Sequence, residues 1–378
     1  MPHCRPLPPF VALPLAAGTH WLACLLACLF MQTAPAQSVD FEPLIKNITK
    51  TYYWQPNQKD SLRLPLLYEG RGYRIELSPN PMPFTVQQTT VETGADRTYA
   101  VAYSVIYENR LVSLFDSVGF VCLTLPNLTR DRDYEKRLNT KRFQYHWLLN
   151  GQLVGLSNGL YYALNSKGKW RPYADNVPMG RQPKLAEDDR YIVFGRSHGE
   201  WGGTLYFYDK ASRETHLTGI GDANTIWKEG DTYLVLSSSG HMIGGSALAQ
   251  VRTPNTLPIT TLADKNDLVA GYALGKLAPP TAPSDIRFGY VGIQLWSMFT
   301  VQDRPLYLFH WFEKPLLAER DGDVFKLVSL LPFDRFYHHN PITTTYGRYT
   351  LINYADQRGE VGCLLIDGLF ITRLSWTI

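Results

Sequence analysis

Residues 225–254, TIWKEGDTYLVLSSSGHMIGGSALAQVRTP, contain the clearest copy of a unit that recurs along the chain. Within it, a short first strand is predicted to lead into a tight polar turn at residues 229–231. A second strand follows at residues 233–237, then a loop rich in Gly and Ser, then a third strand at residues 247–251. The unit is therefore a run of short strands joined by tight turns.

This unit returns with a period of about 40 residues. The strands that follow the tight turns start at Leu111, Leu153, Tyr191, Tyr233, Leu268, Leu316 and Tyr349. Four short strands at this period are typical of one blade of a β-propeller. Seven starting points predict an all-β fold, a propeller of about seven four-stranded blades. The range is six to eight, because Tyr73 is placed to begin a further blade.

Stacking explains why such units assemble into a ring. One four-stranded sheet cannot bury both of its faces alone, and blades packed face to face supply the missing cover. Residues 62–91 are predicted to supply strands that complete the last blade, so that residues 37–378 form a single domain closed by N-terminal strands. Residues 275–284 (GKLAPPTAPS) are predicted to be a loop between strands. Residues 130–142 are predicted to be a solvated loop or a short exposed helix.

The repeats WKEGDTYLVLSSS and DDRYIVFGRSHGEWGGTLYFYDKASRETHLT resemble those of secreted β-propellers of the WD40/TolB-like type. They share the order of a turn with Gly or Asp, a hydrophobic strand, a loop, and an aromatic strand ending in Asp. The resemblance covers most of residues 100–378, although the WD dipeptide is missing from every unit. It is a resemblance of fold and implies no catalytic residues.

The first 36 residues are predicted to be a secretory signal peptide. Arg5 precedes an apolar run at residues 21–30, and Ala34-Pro35-Ala36 places the cleavage site before Gln37. An apolar run of ten residues is too short to span a bilayer. Residues 25–28 (LLAC) also resemble a lipobox, which leaves an outer-surface lipoprotein as the alternative. The mature protein is expected to be secreted or periplasmic, with no transmembrane segment.

Composition limits the partners. The chain has 37 basic and 34 acidic residues, a balance that predicts no nucleic-acid partner. We expect a monomer that binds an extracellular or periplasmic protein, peptide or glycan, and no cofactor or metal. Cys122 and Cys363 lie in apolar strands of the mature chain, either as one disulfide or as two buried thiols. We favour the thiols, since two strand positions seldom meet the bridging geometry.

A ligand site is predicted on one face of the ring. In a propeller, the loops between second and third strands and the loops that link blades lie on the same face. The polar and aromatic residues predicted to line a concave site there are His198, Glu200, Trp201, His241, Arg320, Asp321, Asp356, Arg358 and His338. The plainer interpretation is that loops are polar because they are hydrated.

Known catalytic motifs give little support for an enzyme. Residues 195–199 match G-x-S-x-G, but that motif needs a strand-to-helix turn, and a strand is predicted to follow here. His338 and His339 are adjacent in an extended segment and would point to opposite sides, which disfavours a shared metal. The sequence therefore predicts a binding module. The alternative is a glycan- or peptide-cleaving hydrolase or lyase that uses His and carboxylate residues of the same loops.

Overall fold

The computed structural model describes ten segments of the chain: residues 66–69, 72–94, 100–174, 179–197, 203–240, 244–260, 285–311, 314–332, 338–356 and 361–376. The predicted signal peptide and cleavage site lie outside these described residues, as does the predicted strand start at Leu268.

Three strands precede the first blade: β1 (Leu66–Glu69), β2 (Arg74–Leu77) and β3 (Thr85–Val91). The first blade contains β4 (Val105–Tyr107), β5 (Arg110–Phe115), β6 (Gly119–Thr124) and β7 (Thr129–Arg130). The second contains β8 (Tyr145–Leu149), β9 (Gln152–Ser157), β10 (Leu160–Leu164) and β11 (Trp170–Pro172). The third contains β12 (Lys184–Glu187), β13 (Tyr191–Ser197), β14 (Gly203–Asp209) and β15 (Thr215–Thr218).

The fourth blade is interrupted. Its first three strands are β16 (Ala223–Glu229), β17 (Thr232–Ser239) and β18 (Gly245–Val251). After one turn of 3-10 helix at Pro254–Thr256, β19 (Ile259–Thr260) pairs with β15 of the third blade. The fourth strand, β20 (Asp285–Val291), then pairs with β18.

The last two blades are regular. The fifth contains β21 (Gln294–Val301), β22 (Arg304–Trp311), β23 (Lys314–Asp321) and β24 (Val324–Leu330). The sixth contains β25 (His338–Tyr346), β26 (Tyr349–Asp356), β27 (Val361–Asp367) and β28 (Phe370–Trp376). The fold is a β-propeller of six four-stranded blades, which confirms the predicted class and falls within the predicted range.

Most second strands begin directly after a tight turn whose residues have positive φ. Between β8 and β9, Asn150 and Gly151 have φ of 48° and 70°, the conformation that suits a two-residue hairpin. Five predicted strand starts, at Leu111, Leu153, Tyr191, Tyr233 and Tyr349, each fall on the first or second residue of a second strand.

The fifth blade departs from the predicted register. Leu316 lies in the third strand, β23, and the turn into the second strand is formed by Gln302 and Asp303. Both residues have positive φ, 51° and 61°, without the Asn or Gly that usually marks such a turn. The local sequence signal for this turn is therefore missing.

Six hydrophobic clusters show that the ring of described blades is closed. Each cluster contains residues from two neighbouring blades. The last and first blades share one, in which Leu351 and Cys363 of the sixth blade pack with Leu111 and Phe115 of the first. Burial between blades is thus continuous around the axis.

The N-terminal strands pair at the outer edges of the last two blades, so the prediction that they complete the last blade and close the ring is wrong, because β25–β28 already supply that blade's four strands. β3 pairs in parallel with β28 and is the fifth strand of the last blade. β2 pairs in parallel with β24, and β1 pairs with β2, so this hairpin extends the fifth blade instead. The two C-terminal blades are therefore covered on their outer edges by the start of the described chain.

A short helix replaces most of the fourth strand of the first blade. α1 (Arg132–Leu138) follows the two-residue strand β7 and buries Tyr134, Glu135 and Leu138. The predicted short helix is confirmed, but the prediction that it is exposed is wrong, because it covers the edge of β6. Glu135 Oε1 accepts the backbone N–H of Cys122 at 3.0 Å.

Asn139 completes this cover with its side-chain amide. Its Oδ1 accepts the N–H of Phe120 at 2.7 Å, and its Nδ2 donates to the carbonyl of the same residue at 2.9 Å. We expect Asn139→Ala to lower the free energy of unfolding by about 1–2 kcal/mol, because both backbone groups lose their partner. Equilibrium urea denaturation measures this. The control is Lys136→Ala on the exposed side of α1, where an exposed ion pair should contribute less than about 0.5 kcal/mol.

Cys122 and Cys363 are free and buried, in agreement with the favoured interpretation. They belong to different clusters, one between the first and second blades and one between the sixth and first. Burial raises the pKa of both thiols, so both are held in the protonated form.

Candidate functional site

Most of the predicted site residues have side chains that the structure does not describe. His198, Glu200, Trp201, His241 and Arg358 lie outside the described segments. Positions 338 and 356 are described in backbone only, and they are directly opposed partners in the β25–β26 hairpin. The predicted convergence of these seven residues stays a prediction.

Arg320 and Asp321 do not belong to the predicted face. They end β23 beside the turn at residues 322–323, whereas the loop between the second and third strands of this blade is at residues 312–313. Consecutive antiparallel strands turn at alternating ends of a sheet, so these two turns are on opposite sides. The prediction for these two residues is wrong because it took β23 as the second strand.

Both residues contribute to packing instead. The Arg320 guanidinium lies 4.0 Å from the ring centroid of Phe288 in the fourth blade, a cation–π contact between blades. Its Nε donates to the hydroxyl of Tyr290 at 3.2 Å. Asp321 is paired with Lys326 at 2.7 Å on the surface.

The predicted face does contain a cavity. It has a volume of about 420 Å³ and opens where inner strands begin and second strands end; we call it the loop-face cavity. Its lining comes from the segment before β4, the links into β12 and β16, the β13–β14 hairpin, and single residues of β8 and β25. The main lining residues are Tyr103, Tyr145, Arg181, Arg196, Ser197 and Asp222. A volume of this size is within the range of small-ligand sites.

Close backbone packing fixes one wall of the loop-face cavity. Gly203 begins β14, and a Cβ at this position would lie 2.5 Å from the carbonyl oxygen of Arg196 and 2.8 Å from Cα of Gly221. Only glycine therefore allows the link into β16 to lie against the β13–β14 hairpin. This contact brings Asp222 next to the strand that carries Arg196 and Ser197.

The lining is largely apolar, with a few charged and phenolic groups at defined places. Ala102, Leu185, Ile220 and Ile342 are buried around it. Desolvation raises the pKa of Tyr103 to about 12 and also raises the pKa of Tyr145, so both phenols are neutral hydrogen-bonding groups. Two arginines line the cavity, Arg181, which is exposed, and Arg196, which is half-buried. Asp222 supplies the single carboxylate of the lining. The cavity can thus hold an apolar group and bind an anionic one at its rim.

The floor of the loop-face cavity nearly closes the axis of the ring. Beneath it lies a space of only about 20 Å³, lined in part by Ser104, His146, Trp147 and Asn353. Trp147 Nε1 donates to the carbonyl of Gln182 at 2.7 Å, which ties the second blade to the link into the third.

His146 below this floor is a structural histidine, and with Trp147 it forms a His-Trp pair that recurs at His310 and Trp311. It is 1% exposed, and its Nε2 lies 3.3 Å from the carbonyl oxygen of Val112 in the neighbouring blade. The second pair differs in position, since His310 and Trp311 end a second strand while His146 and Trp147 lie in a first strand. His310 stacks on Trp296 with ring centroids 5.1 Å apart.

Burial of His146 should make the fold sensitive to acid. Desolvation lowers its pKa from 6.5 to about 4. Between these values the unfolded chain binds a proton that the folded chain does not, so stability falls as pH falls through this window. Between pH 7 and pH 5 we expect this residue to cost about 2 kcal/mol of unfolding free energy.

Urea denaturation at the two pH values of the wild type and of His146→Gln measures this effect. The variant should lose about 2 kcal/mol less than the wild type over the same interval. Equal losses in the two proteins would show that another group causes the acid sensitivity. Carboxylates such as Asp188, whose pKa hydrogen bonds hold near 2, lose their contribution only at lower pH.

Ser197 of the G-x-S-x-G match lies in a hairpin. It is the last residue of β13 and pairs with Gly203 of β14. The match therefore lacks the strand-to-helix turn that exposes a nucleophilic serine. Ser197 instead contributes a half-buried hydroxyl to the loop-face cavity.

The loop-face cavity lies on the face predicted to carry a ligand site, but the residues that line its described part were not among those predicted. Arg181 and Asp222 lie in links between blades, which the prediction assigns to this face in general. Tyr103 and Tyr145 lie next to or at the start of inner strands. Their aromatic character resembles that of core residues, so composition alone gives no signal for them.

Within the described segments, no three His, Cys, Asp or Glu side chains are grouped closely enough to hold a metal ion. No helix of these segments is long and apolar enough to cross a membrane.

Comparison with known proteins gives only distant similarities. No family model matches the sequence, and no curated sequence is significantly similar to it. Among solved structures, the chain is similar to the N-terminal domain of Nup159, with 8% identity over 78% of this chain and 88% of that one and a TM-score of 0.35. It is also similar to BamB from Moraxella catarrhalis, with 15% identity over 70% of each chain and a TM-score of 0.28.

A third similar structure is the AfRom2 CNH domain, at 10% identity over 71% of this chain and 90% of that one, with a TM-score of 0.32. These scores are low, so the assignment as a β-propeller is based on the six sheets and the closed ring of clusters. The six sheets and the closed ring agree, at the level of fold, with the resemblance of the repeats to WD40/TolB-like propellers.

Proposed function

We propose that this β-propeller is an exported binding module that recognises a protein, peptide or glycan at the loop-face cavity. The observation that carries the proposal is the cavity itself, about 420 Å³, on the face predicted from the topology. Small-ligand sites are typically concave and mostly apolar, with a few placed polar groups. Tyr103, Arg181 and Arg196 are groups of that kind on an otherwise apolar wall.

The lining favours a peptide segment among the three ligand classes. Buried Ala, Leu and Ile side chains suit an apolar side chain of the ligand. Two guanidinium groups against one carboxylate suit an acidic group at the rim, because arginine binds carboxylates through paired hydrogen bonds. The ligand we propose therefore combines an apolar side chain with a carboxylate.

The test blocks the cavity with one substitution. Ser197→Trp places an indole at the end of β13, inside the loop-face cavity. Ser239→Trp is the matched control, because Ser239 is the last residue of the second strand in the next blade and is not among the lining residues. The probes are an array of defined glycans and a phage-displayed library of random dodecapeptides.

A ligand selected by the wild type should bind Ser197→Trp at least about ten-fold more weakly and bind Ser239→Trp with unchanged affinity; ten-fold corresponds to about 1.4 kcal/mol. Equal binding to both variants would contradict the proposed site. Mass spectrometry of each selected ligand after incubation separates binding from cleavage. A cleaved product that requires the cavity would favour the hydrolase or lyase instead.

Export is part of the proposal and has its own test. The signal-peptide pattern of residues 1–36 supports cleavage before Gln37 and a mature protein in the periplasm or outside the cell. The N-terminal sequence and mass of the protein recovered from an exporting bacterial host check this. Cleavage before Cys28 with an added lipid would instead show the lipoprotein alternative, and an uncleaved intracellular chain would contradict export.

A further inference from the structure

A second cavity lies at the other end of the ring axis. It has a volume of about 510 Å³, and six of its sixteen lining residues are threonines; we call it the threonine cavity. It lies where the inner strands β12, β16, β21 and β25 end, whereas the loop-face cavity lies where inner strands begin. Leu185 contributes to both, so the two cavities are opposite mouths of one axis.

Several threonine hydroxyls of this cavity are available to a ligand. Thr345 and Thr350 are directly opposed in the β25–β26 hairpin, so their side chains lie on one face. The hydroxyls of Thr300, Thr345 and Thr350 make no hydrogen bond to any other side chain or backbone group of the described segments. The other three threonines are used within the fold: Thr225 accepts the N–H of Met298, Thr343 pairs with Ser297, and Thr344 pairs with the hydroxyl of Tyr346.

Strand edges add backbone donors and acceptors. β12, β16, β21 and β25 are each the terminal strand of their sheet on the axial side. The outward N–H and C=O groups of a terminal strand have no partner in the sheet. The threonine cavity is therefore lined by hydroxyls and by strand edges that are open except where a side chain occupies them, as Thr225 does at the N–H of Met298, and both can donate and accept hydrogen bonds.

The lining carries no net charge. Its two charged residues, Lys184 and Glu187, are paired at 2.7 Å, and Lys210 holds the second carboxylate oxygen at 2.9 Å. A charged ligand would lose its hydration here without finding a free opposite charge. Trp227 is half-buried at the wall and packs on the cluster between the fourth and fifth blades, so its indole is held in place.

We propose that the threonine cavity binds a short neutral oligosaccharide. Sugar hydroxyls both donate and accept hydrogen bonds, which matches the free threonine hydroxyls and the strand edges. The apolar face of a pyranose ring matches an immobilised indole such as Trp227. This site is distinct from the loop-face cavity and does not depend on the function proposed for it.

The experiment titrates the full chain with maltotriose and with chitotriose by isothermal titration calorimetry, with tryptophan fluorescence as a second readout. Thr345→Val and Thr350→Val remove one hydroxyl each at nearly constant volume. Thr85→Val, on the exposed outer strand β3, is the matched control. Trp227→Phe identifies whether the fluorescence change arises at this cavity.

We expect one of the two trisaccharides to bind, about three- to ten-fold more weakly in each cavity variant and unchanged in Thr85→Val. The fluorescence change should be lost in Trp227→Phe. Ser197→Trp, which blocks the loop-face cavity, should leave this binding intact. No binding of either sugar up to about 10 mM, or binding that is unaffected by both valine variants, would overturn the proposal.

Discussion

Phe325→Ala should lower the free energy of unfolding by about 4 kcal/mol. Phe325 is fully buried in β24, in the cluster between the fourth and fifth blades. Its ring lies 5.6 Å from that of Phe309, 5.7 Å from Tyr290 and 6.2 Å from Tyr73, centroid to centroid. Truncation to alanine leaves a cavity between these rings. The strands that carry the rings cannot move to fill it without breaking their hydrogen-bonded pairing.

Equilibrium denaturation in urea measures the loss, and Phe370→Ala is the matched control. Phe370 is 60% exposed at the start of β28, so the same substitution there should change stability by less than about 0.5 kcal/mol. Comparable losses in the two variants would mean that Phe325 is not packed between blades as described. Because Tyr73 belongs to the N-terminal hairpin, the result also tests whether β1 and β2 stabilise the fifth blade.

Asn353→Leu should cost about 3 kcal/mol because it breaks the contact that joins the last blade to the first. Asn353 is 2% exposed in β26. Its Oδ1 accepts the N–H of Ser104 at 2.9 Å, and its Nδ2 donates to the carbonyl of Ser104 at 3.0 Å. Leucine has a similar volume but leaves both backbone groups of Ser104 buried without a partner.

Asn80→Leu is the control, since Asn80 is exposed and no hydrogen bond of its side chain is recorded within the described segments. It should change the unfolding free energy by less than about 0.5 kcal/mol. If Asn353→Leu were equally mild, the ring would be held at this junction by apolar packing alone, through Leu351, Leu111 and their neighbours.

Local turn chemistry explains how far the fold could be predicted. The residues Asn150 and Gly151 predict a hairpin, because few other residue types readily adopt positive φ. Gln302 and Asp303 adopt the same conformation without that signal, held by the pairing of β21 with β22. The fifth blade was therefore predicted one strand out of register.

Chain order also hides part of the architecture. β19 leaves the fourth blade to pair with the third, and β20 returns only at Asp285. A repeat of fixed period cannot represent this detour. The predicted start at Leu268 lies outside the described residues and stays a prediction. The outer positions of β1, β2 and β3 depend on tertiary pairing that a local pattern does not encode.

For the candidate site, too, strand order could be predicted from the sequence and tertiary contacts could not. The face follows from the order of strands alone, and the loop-face cavity lies on it. Arg320 and Asp321 were placed there because of the register error. Arg320 instead packs on the ring of Phe288, and Asp321 forms a surface ion pair with Lys326. Tyr103 and Arg181 were missed because residues that are distant in the sequence meet only when the ring closes.

Hydrogen–deuterium exchange on the full chain, with and without a ligand selected by the wild type, tests the central claim most directly. Binding at the loop-face cavity predicts slower exchange in residues 100–103, 181–185, 195–197 and 220–223, and unchanged exchange on the outer strands. Protection confined to outer strands such as β3 and β11, with these four segments unaffected, would contradict the claim and place recognition on the blade rims.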